Sequence, residues 1–185
     1  MNRAHVLQIQ NYIHYILDIS ISPARVGSAL SIEAIHYAEL IASKLNYIGV
    51  IAVEFFISNG KIYVNEVAPR PHNSGHHSLD SCDFNQFDQQ VLALTGTSLN
   101  NPKSITNAVM VNLLGDIWFR DGKLSLPNLD IFVGSTNEVL YLYGKSEARP
   151  GRKMGHFTIT GNDIEIILMR AKKIKALLSK NESEE

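Results

Sequence analysis

The chain has 185 residues, 45% of them hydrophobic and 19% charged. That is the composition of a folded globular protein with a sizeable core, and it excludes wholesale disorder. With 17 Lys and Arg against 18 Asp and Glu the formal net charge is -1, which speaks against a broad basic surface for nonspecific nucleic-acid binding.

In chain order, the stretch from Leu7 to Ile21 is rich in Ile, Leu and Tyr, and Pro23 ends any strand there. Apolar residues Ile32, Ile35, Ala38, Ala42 and Leu45 recur at helical spacing, predicting a helix over Ser31 to Leu45 with Ser31 as N-cap and Asn46 as stop. Ile48 to Ser58 and Lys61 to Val67 flank Asn59-Gly60, a strong hairpin signal. The stretch Ala68 to Asp80 holds two prolines and reads as an ordered loop, followed by a helix from about Asn85 to Leu94 that Thr95-Gly96 ends. Beyond Pro102 the predicted strands are Ala108 to Leu114, Ile131 to Phe132, Val139 to Tyr143 and His156 to Thr160, with an amphipathic helix over Asp163 to Lys180. The polar end from Ser179 is expected to fray. These elements predict an α+β fold, with a boundary near Asn100-Asn101-Pro102 that separates residues 1–100 from residues 101–185.

Cys82 stands alone, so neither an intramolecular disulfide nor a multi-cysteine zinc site is open to this chain, and a reducing compartment is the simpler setting. No apolar run approaches transmembrane length and no clean signal-peptide core follows Met1. The expectation is a cytoplasmic protein that engages neither membrane nor nucleic acid.

Glu54 lies inside an apolar strand and Glu66 on its partner. A strict two-residue loop would set Glu54 opposite Asn65; a three-residue loop, or one with a glycine bulge, would set it opposite Glu66. Two directly opposed carboxylates repel unless a cation lies between them, and hard oxygen ligands favour magnesium. Otherwise each Glu is a solvated residue on a sheet face. The loop Pro69-Arg70-Pro71-His72-Asn73-Ser74-Gly75-His76-His77-Ser78 offers a fixed cation, three imidazoles, an amide and hydroxyls, a donor set for a small oxyanion. Zinc on His72, His76 and His77 is an alternative without helical ligand spacing or cysteine support. The cluster Lys145, Arg149, Gly151, Arg152, Lys153, Gly155 and His156 suits a phosphate, although a charged turn has the same composition. Trp118 and Phe119 read as core, and Lys172-Lys173-Lys175 as the wet face of the last helix.

The runs Gly49-Val50-Ile51-Ala52-Val53-Glu54-Phe55-Phe56 and Val64 to His76 resemble the ATP-grasp ligases. Within them they are similar to the 5-(carboxyamino)imidazole ribonucleotide synthetase family, the ATPase subunit of bacterial phosphoribosylaminoimidazole carboxylase. Arg149-Pro150-Gly151-Arg152-Lys153-Met154-Gly155-His156 matches that family's late motif, and Ser20-Ile21-Ser22-Pro23-Ala24-Arg25 matches the stretch before the first helix. Asn73-Ser74-Gly75-His76 favours this family over the formate-dependent glycinamide ribonucleotide transformylase, whose loop carries Asp-Thr-Gly. The resemblance spans Leu17 to about Leu178.

The resemblance implies an ATP-grasp C-terminal lobe, an antiparallel sheet with helices, followed by a small C-terminal α/β subdomain. It implies a ligase that joins bicarbonate to aminoimidazole ribonucleotide, using ATP and magnesium, through carboxyphosphate. Glu54 and Glu66 would hold metal, Arg70, His72 and Asn73 would line the bicarbonate pocket, and Lys145, Arg152 and Lys153 would grip the nucleotide phosphate. Ala68 stands where many ATP-grasp enzymes have Asn, so one metal ligand would come from elsewhere. The family's front domain and mobile lobe are not matched by this sequence. A ligase fragment, inactive alone and self-associating as a homodimer, is therefore expected. The alternative is a noncatalytic anion- or partner-binding module.

Overall fold

The computed structural model describes residues 9–13 and 16–179, with side chains from Leu17 onward. The end expected to fray lies, beyond Ser179, outside the described residues. Two compact units form: residues 22–105, and residues 10–13 and 16–21 together with residues 106–179. The change of unit after Ile105 falls a few residues beyond Pro102, and residues 10–13 and 16–21 join the later unit through strand pairing.

In the later unit, strands β1 (Ile9–Ile13), β2 (Ile16–Ser22), β5 (Asn107–Leu114), β8 (Glu138–Leu142) and β9 (Lys153–Gly161) form one sheet in the order β1-β2-β5-β9-β8. Strand β5 pairs antiparallel with β9, and β9 with β8. Ala108, Val109, Met110, Val111, Asn112 and Leu113 are all buried, as expected of a central strand covered on both faces. The buried Asn112 amide donates to Leu17 O at 2.8 Å. Helix α4 (Ile164–Ser179) packs on β5 and β9 and buries Ile167, Ala171, Ile174 and Leu178, a stripe at helical spacing. Lys175 is not on the wet face: its ammonium lies 2.5 Å from both carboxylate oxygens of Asp18. Residues 131–132 are likewise not a strand. A 3₁₀ turn spans Asp130–Phe132, begun by the Asn128 side chain accepting Asp130 N–H at 2.9 Å, and it sets Phe132 against Phe157. A two-residue hairpin, β6 (Phe119–Arg120) with β7 (Lys123–Leu124), completes the strands.

In the unit Ser22–Ile105, helix α1 (Ser28–Lys44) starts before the expected Ser31. Gly27 is the N-cap, its carbonyl accepting Ser31 N–H at 3.1 Å, so Ser31 lies inside the first turn. Asn46 takes the left-handed conformation that stops the helix. Strands β3 (Ala52–Ser58) and β4 (Lys61–Ala68) form the expected antiparallel hairpin, and Asn59 and Gly60 both have positive φ, as a two-residue I′ loop requires. The loop stretch contains a 3₁₀ turn, Asn73–Gly75, and a single helical turn, α2 (Ser78–Ser81). Helix α3 (Gln86–Leu94) begins with a complete capping box: Asn85 accepts the backbone of Asp88, and Asp88 accepts the backbone of Asn85. Among the described residues, no helix is long and apolar enough to cross a membrane.

The units differ in their buried apolar side chains. Among the described residues, Ala34, Ala68 and Cys82 are the buried apolar residues between Pro23 and Ile105. The later unit buries Leu17, Ile19, Phe157, Ile159 and most of β5 and α4. On the hairpin, Phe56, Ile57, Tyr63 and Val64 are exposed.

Candidate active site

Glu54 and Glu66 stand directly opposite each other in the β3–β4 register. The route to this pairing differs from both loops considered from sequence. The turn is a strict two-residue loop, with Ser58 opposite Lys61, and the register shifts inside the strands, where Phe55 faces Val64 and Glu54 faces Glu66. Asn65 is the extra residue of the bulge, and its amide donates to Glu54 Oε2 at 3.2 Å. The bulge thus brings two carboxylates to one face of the hairpin. Glu54 is buried, while half of the Glu66 side chain is exposed.

The imidazole of His72 lies between them, with Nδ1 3.3 Å from Glu54 Oε1 and Nε2 3.4 Å from Glu66 Oε1. Nδ1 accepts Ser74 N–H at 3.4 Å, as the cap of the 3₁₀ turn. Nδ1 also lies 2.9 Å from Ser74 Oγ. The loop is tied down at Pro69 and at His72. Tyr47 OH donates to Pro69 O at 2.7 Å, and the Gln86 amide meets both backbone polar atoms of His72.

Arg70 does not join this cluster. It is exposed, and its guanidinium donates to Pro71 O at 3.1 Å. Asn73 opens the 3₁₀ turn beside His72, its carbonyl accepting His76 N–H. The other two imidazoles have partners of their own. His76 Nδ1 lies 2.7 Å from Gln86 Nε2, and the buried His77 donates to Ser81 Oγ. Among the described residues, no group of three His, Cys, Asp or Glu is arranged to hold a metal ion, so the zinc alternative on His72, His76 and His77 finds no support. Two opposed carboxylates do fit a magnesium ion that takes its remaining oxygens from phosphates and water. Burial pushes the Cys82 thiol up, as befits an inert core residue.

The basic cluster lies in the later unit. Arg149 O accepts Arg152 N–H at 3.0 Å around Pro150 and Gly151, whose φ of 72° is the left-handed value wanted at the third position of a type II turn. The turn exposes Arg149 and leaves Arg152 and Lys153 half-buried. Asp116 accepts Gly151 N–H at 2.7 Å, Arg152 donates to Glu147 O at 2.7 Å, and Arg149 pairs with Glu147 at 2.6 Å. Lys145 donates to Lys153 O and lies over the Tyr143 ring, 5.5 Å from its centre. Tyr143 OH in turn lies 2.8 Å from Nδ1 of the buried His156, which stacks on Tyr141. Lys145 thus reaches the backbone at the start of β9, next to Arg152 at the end of the turn.

Sequence reasoning did not single out Gln86, Tyr143 or Asp116. Gln86 carried a faint signal, since it follows a capping Asn at the head of a predicted helix.

The ATP-grasp domain family matches residues 5–87, and the phosphoribosylaminoimidazole carboxylase C-terminal domain family matches residues 108–170. In its first half the chain thus resembles the ATP-grasp superfamily. It is 43% identical over 164 residues to N5-carboxyaminoimidazole ribonucleotide synthase of Staphylococcus aureus strain COL, a match covering 85% of this chain and 40% of that one. Among solved structures it resembles the N5-carboxyaminoimidazole synthetase from Staphylococcus aureus complexed with ADP, at TM-score 0.77 and 39% identity over 92% of this chain and 43% of the other. A synthase from Aspergillus clavatus, in complex with ADP and 5-aminoimidazole ribonucleotide, matches at TM-score 0.79 and 26% identity, covering 94% of this chain and 46% of that one. The chain thus spans about 40% of the length of the curated relative it matches. The α+β fold with antiparallel sheets is the one expected of this superfamily.

Proposed function

We propose that this chain is the carboxylate-bearing part of an ATP-dependent ligase that carboxylates 5-aminoimidazole ribonucleotide with bicarbonate in purine biosynthesis. The observation that carries this reading is the directly opposed Glu54–Glu66 pair with His72 between its carboxylates, in a chain 43% identical to a ribonucleotide synthase. Glu54 and Glu66 would hold magnesium, which when bound draws charge from the phosphates of ATP. His72 offers its Nε2–H to an oxyanion beside those carboxylates, Asn73 adds an amide, and Arg70 adds a guanidinium able to pair with two oxygens at once. His72 and Asn73 line the site of bicarbonate and carboxyphosphate, and Arg70 would reach it by turning away from Pro71 O. Lys145, Arg152 and Lys153 take the ribonucleotide phosphate, with Lys145 held near Lys153 by the Lys153 carbonyl. The setting is cytoplasmic and the working form a homodimer, and the chain alone is inactive.

Thermal melts of the whole chain test this. MgADP should raise the melting midpoint, and Glu54→Gln and Glu66→Gln should each abolish that rise. A midpoint raised by inorganic phosphate but by no nucleotide, and unchanged by either variant, would overturn the ligase reading in favour of an anion-binding module.

A further inference from the structure

We infer that Gln86 is the positioning residue for His72, holding its imidazole between Glu54 and Glu66. The inference deepens the proposed function, since it rests on His72 being a group of the reacting pocket. His72 lies on a loop and pairs with no strand, so no sheet ladder fixes its backbone. Gln86 takes that part. Its Oε1 accepts His72 N–H at 2.8 Å, and its Nε2 donates to the His72 carbonyl at 2.9 Å. These two bonds have opposite polarity, so they also fix which way the amide faces. Exchanging its oxygen and nitrogen would set donor against donor at one end and acceptor against acceptor at the other.

The same Nε2 lies 2.7 Å from His76 Nδ1. An amide nitrogen only donates, so Nδ1 accepts, and the neutral His76 ring carries its proton on Nε2. One side chain thus grips the loop at two residues four positions apart. Its own base is firm. Gln86 N–H donates to Ser78 Oγ at 3.2 Å, Ser78 donates to Gly75 O at 2.6 Å, and the capping box of Asn85 and Asp88 fixes the first turn of α3.

Gly75 supplies an independent observation. A Cβ built there would lie 2.7 Å from Gln86 Oε1 and 3.0 Å from its Cδ, closer than side chains pack, although the backbone at Gly75 needs no positive φ. The glycine is the space in which the Gln86 amide sits. Gly75→Ala should therefore dislodge Gln86 without altering it.

Nuclear Overhauser contacts between the His72 ring protons and the side-chain methylenes of Glu54 and Glu66 test this, read by NMR on the whole labelled chain. The melting midpoint serves as control for the fold. Gln86→Ala should abolish these contacts while the midpoint shows a folded chain, which a merely stabilising role would not do. Gly75→Ala should abolish them too, and in a Gln86→Ala background it should add no further change, because the clash has lost its target. Persistence of the contacts in folded Gln86→Ala would overturn the inference. If that variant does not fold, unchanged contacts in Gly75→Ala would overturn it instead. The readout is separate from nucleotide binding. Should MgADP fail to protect the wild type while the contacts behave as stated, the placement of His72 by Gln86 stands and the ligase reading falls.

Discussion

Arg170 and Glu138 meet as a two-pronged ion pair, Nε to Oε1 at 2.6 Å and Nη2 to Oε2 at 3.1 Å, joining α4 to the edge strand β8. Lysine in place of Arg170 keeps the charge and loses the fork. Arg170→Lys should lower unfolding stability by about 1 kcal/mol, as should Glu138→Gln, and the double variant should cost less than the sum. Urea midpoints of the three variants check this. Additive losses would mean that the pair does not act as a unit.

His77 gives the fold a dependence on acid. Burial, with the neighbouring His76 as a lesser cause, lowers its pKa from 6.5 to about 4. Its tautomer follows from Ser81, whose hydroxyl donates to His77 O at 2.8 Å and so accepts Nδ1–H at 3.0 Å. The unfolded chain takes up the proton near pH 6.5 and the folded chain only near 4, so stability falls as pH drops through that window. The loss over the whole window is at most about 3 kcal/mol. Denaturant midpoints between pH 7 and pH 4 should show it, and the slope should flatten in His77→Gln. An equal slope in that variant would assign the acid sensitivity to other groups.

The basic turn depends on a glycine outside it. Gly115 N–H donates to Arg152 O at 2.8 Å, and a Cβ on Gly115 would lie 2.1 Å from Arg149 O. Gly115→Ala must push the turn 149–152 away, at a cost of about 2–3 kcal/mol. Asp116→Ala, which removes only the acceptor of Gly151 N–H, should cost about 1 kcal/mol. Melting curves rank the two. Binding of inorganic phosphate should weaken more in Gly115→Ala than in Asp116→Ala.

By itself the chain should not make the carboxylated nucleotide at an enzyme-like rate. Phosphoryl transfer depends on charge and position around the whole triphosphate, and carboxyphosphate must be shielded from water. On the proposed reading Glu54 and Glu66 would offer one metal-binding face for that task, in a chain spanning about 40% of a curated relative's length. ATP hydrolysis measured with bicarbonate and aminoimidazole ribonucleotide checks this. Turnover matching a full-length relative would refute it.

Much of the fold could be read from short-range chemistry. Asn59-Gly60 predicts its hairpin because two adjacent residues must take positive φ, and few pairs do so cheaply. Asn46 and Gly96 end their helices for the same reason. The carboxylate pair was legible as a pair but not in its register, because a bulge at Asn65 leaves no mark that distinguishes it from an ordinary strand residue. Ile131 and Phe132 look β-forming by type, yet the Asn128 side chain captures the backbone first. What stayed hidden was tertiary. Nothing local tells that Lys175 finds Asp18 at a separation of 157 residues, or that Gln86 turns its amide toward His72 rather than solvent.

The uneven distribution of buried apolar side chains has a kinetic consequence. Amide protons leave a folded protein through local openings, and segments with few buried contacts open at lowest cost. In deuterated water the amides of β5 and β9 should exchange last, since Ala108 to Val111 and Phe157 are sealed from solvent. Those of α1, where Ala34 is the buried residue, and of β3–β4, where Glu54 and Ala68 are, should exchange orders of magnitude sooner. Brief proteolysis should follow the same order, cutting between Pro23 and Ile105 before it reaches the five-stranded sheet. Glu54, Glu66 and His72 should thus sit among the described residues that open sooner, where a bound nucleotide would be felt as slowed exchange.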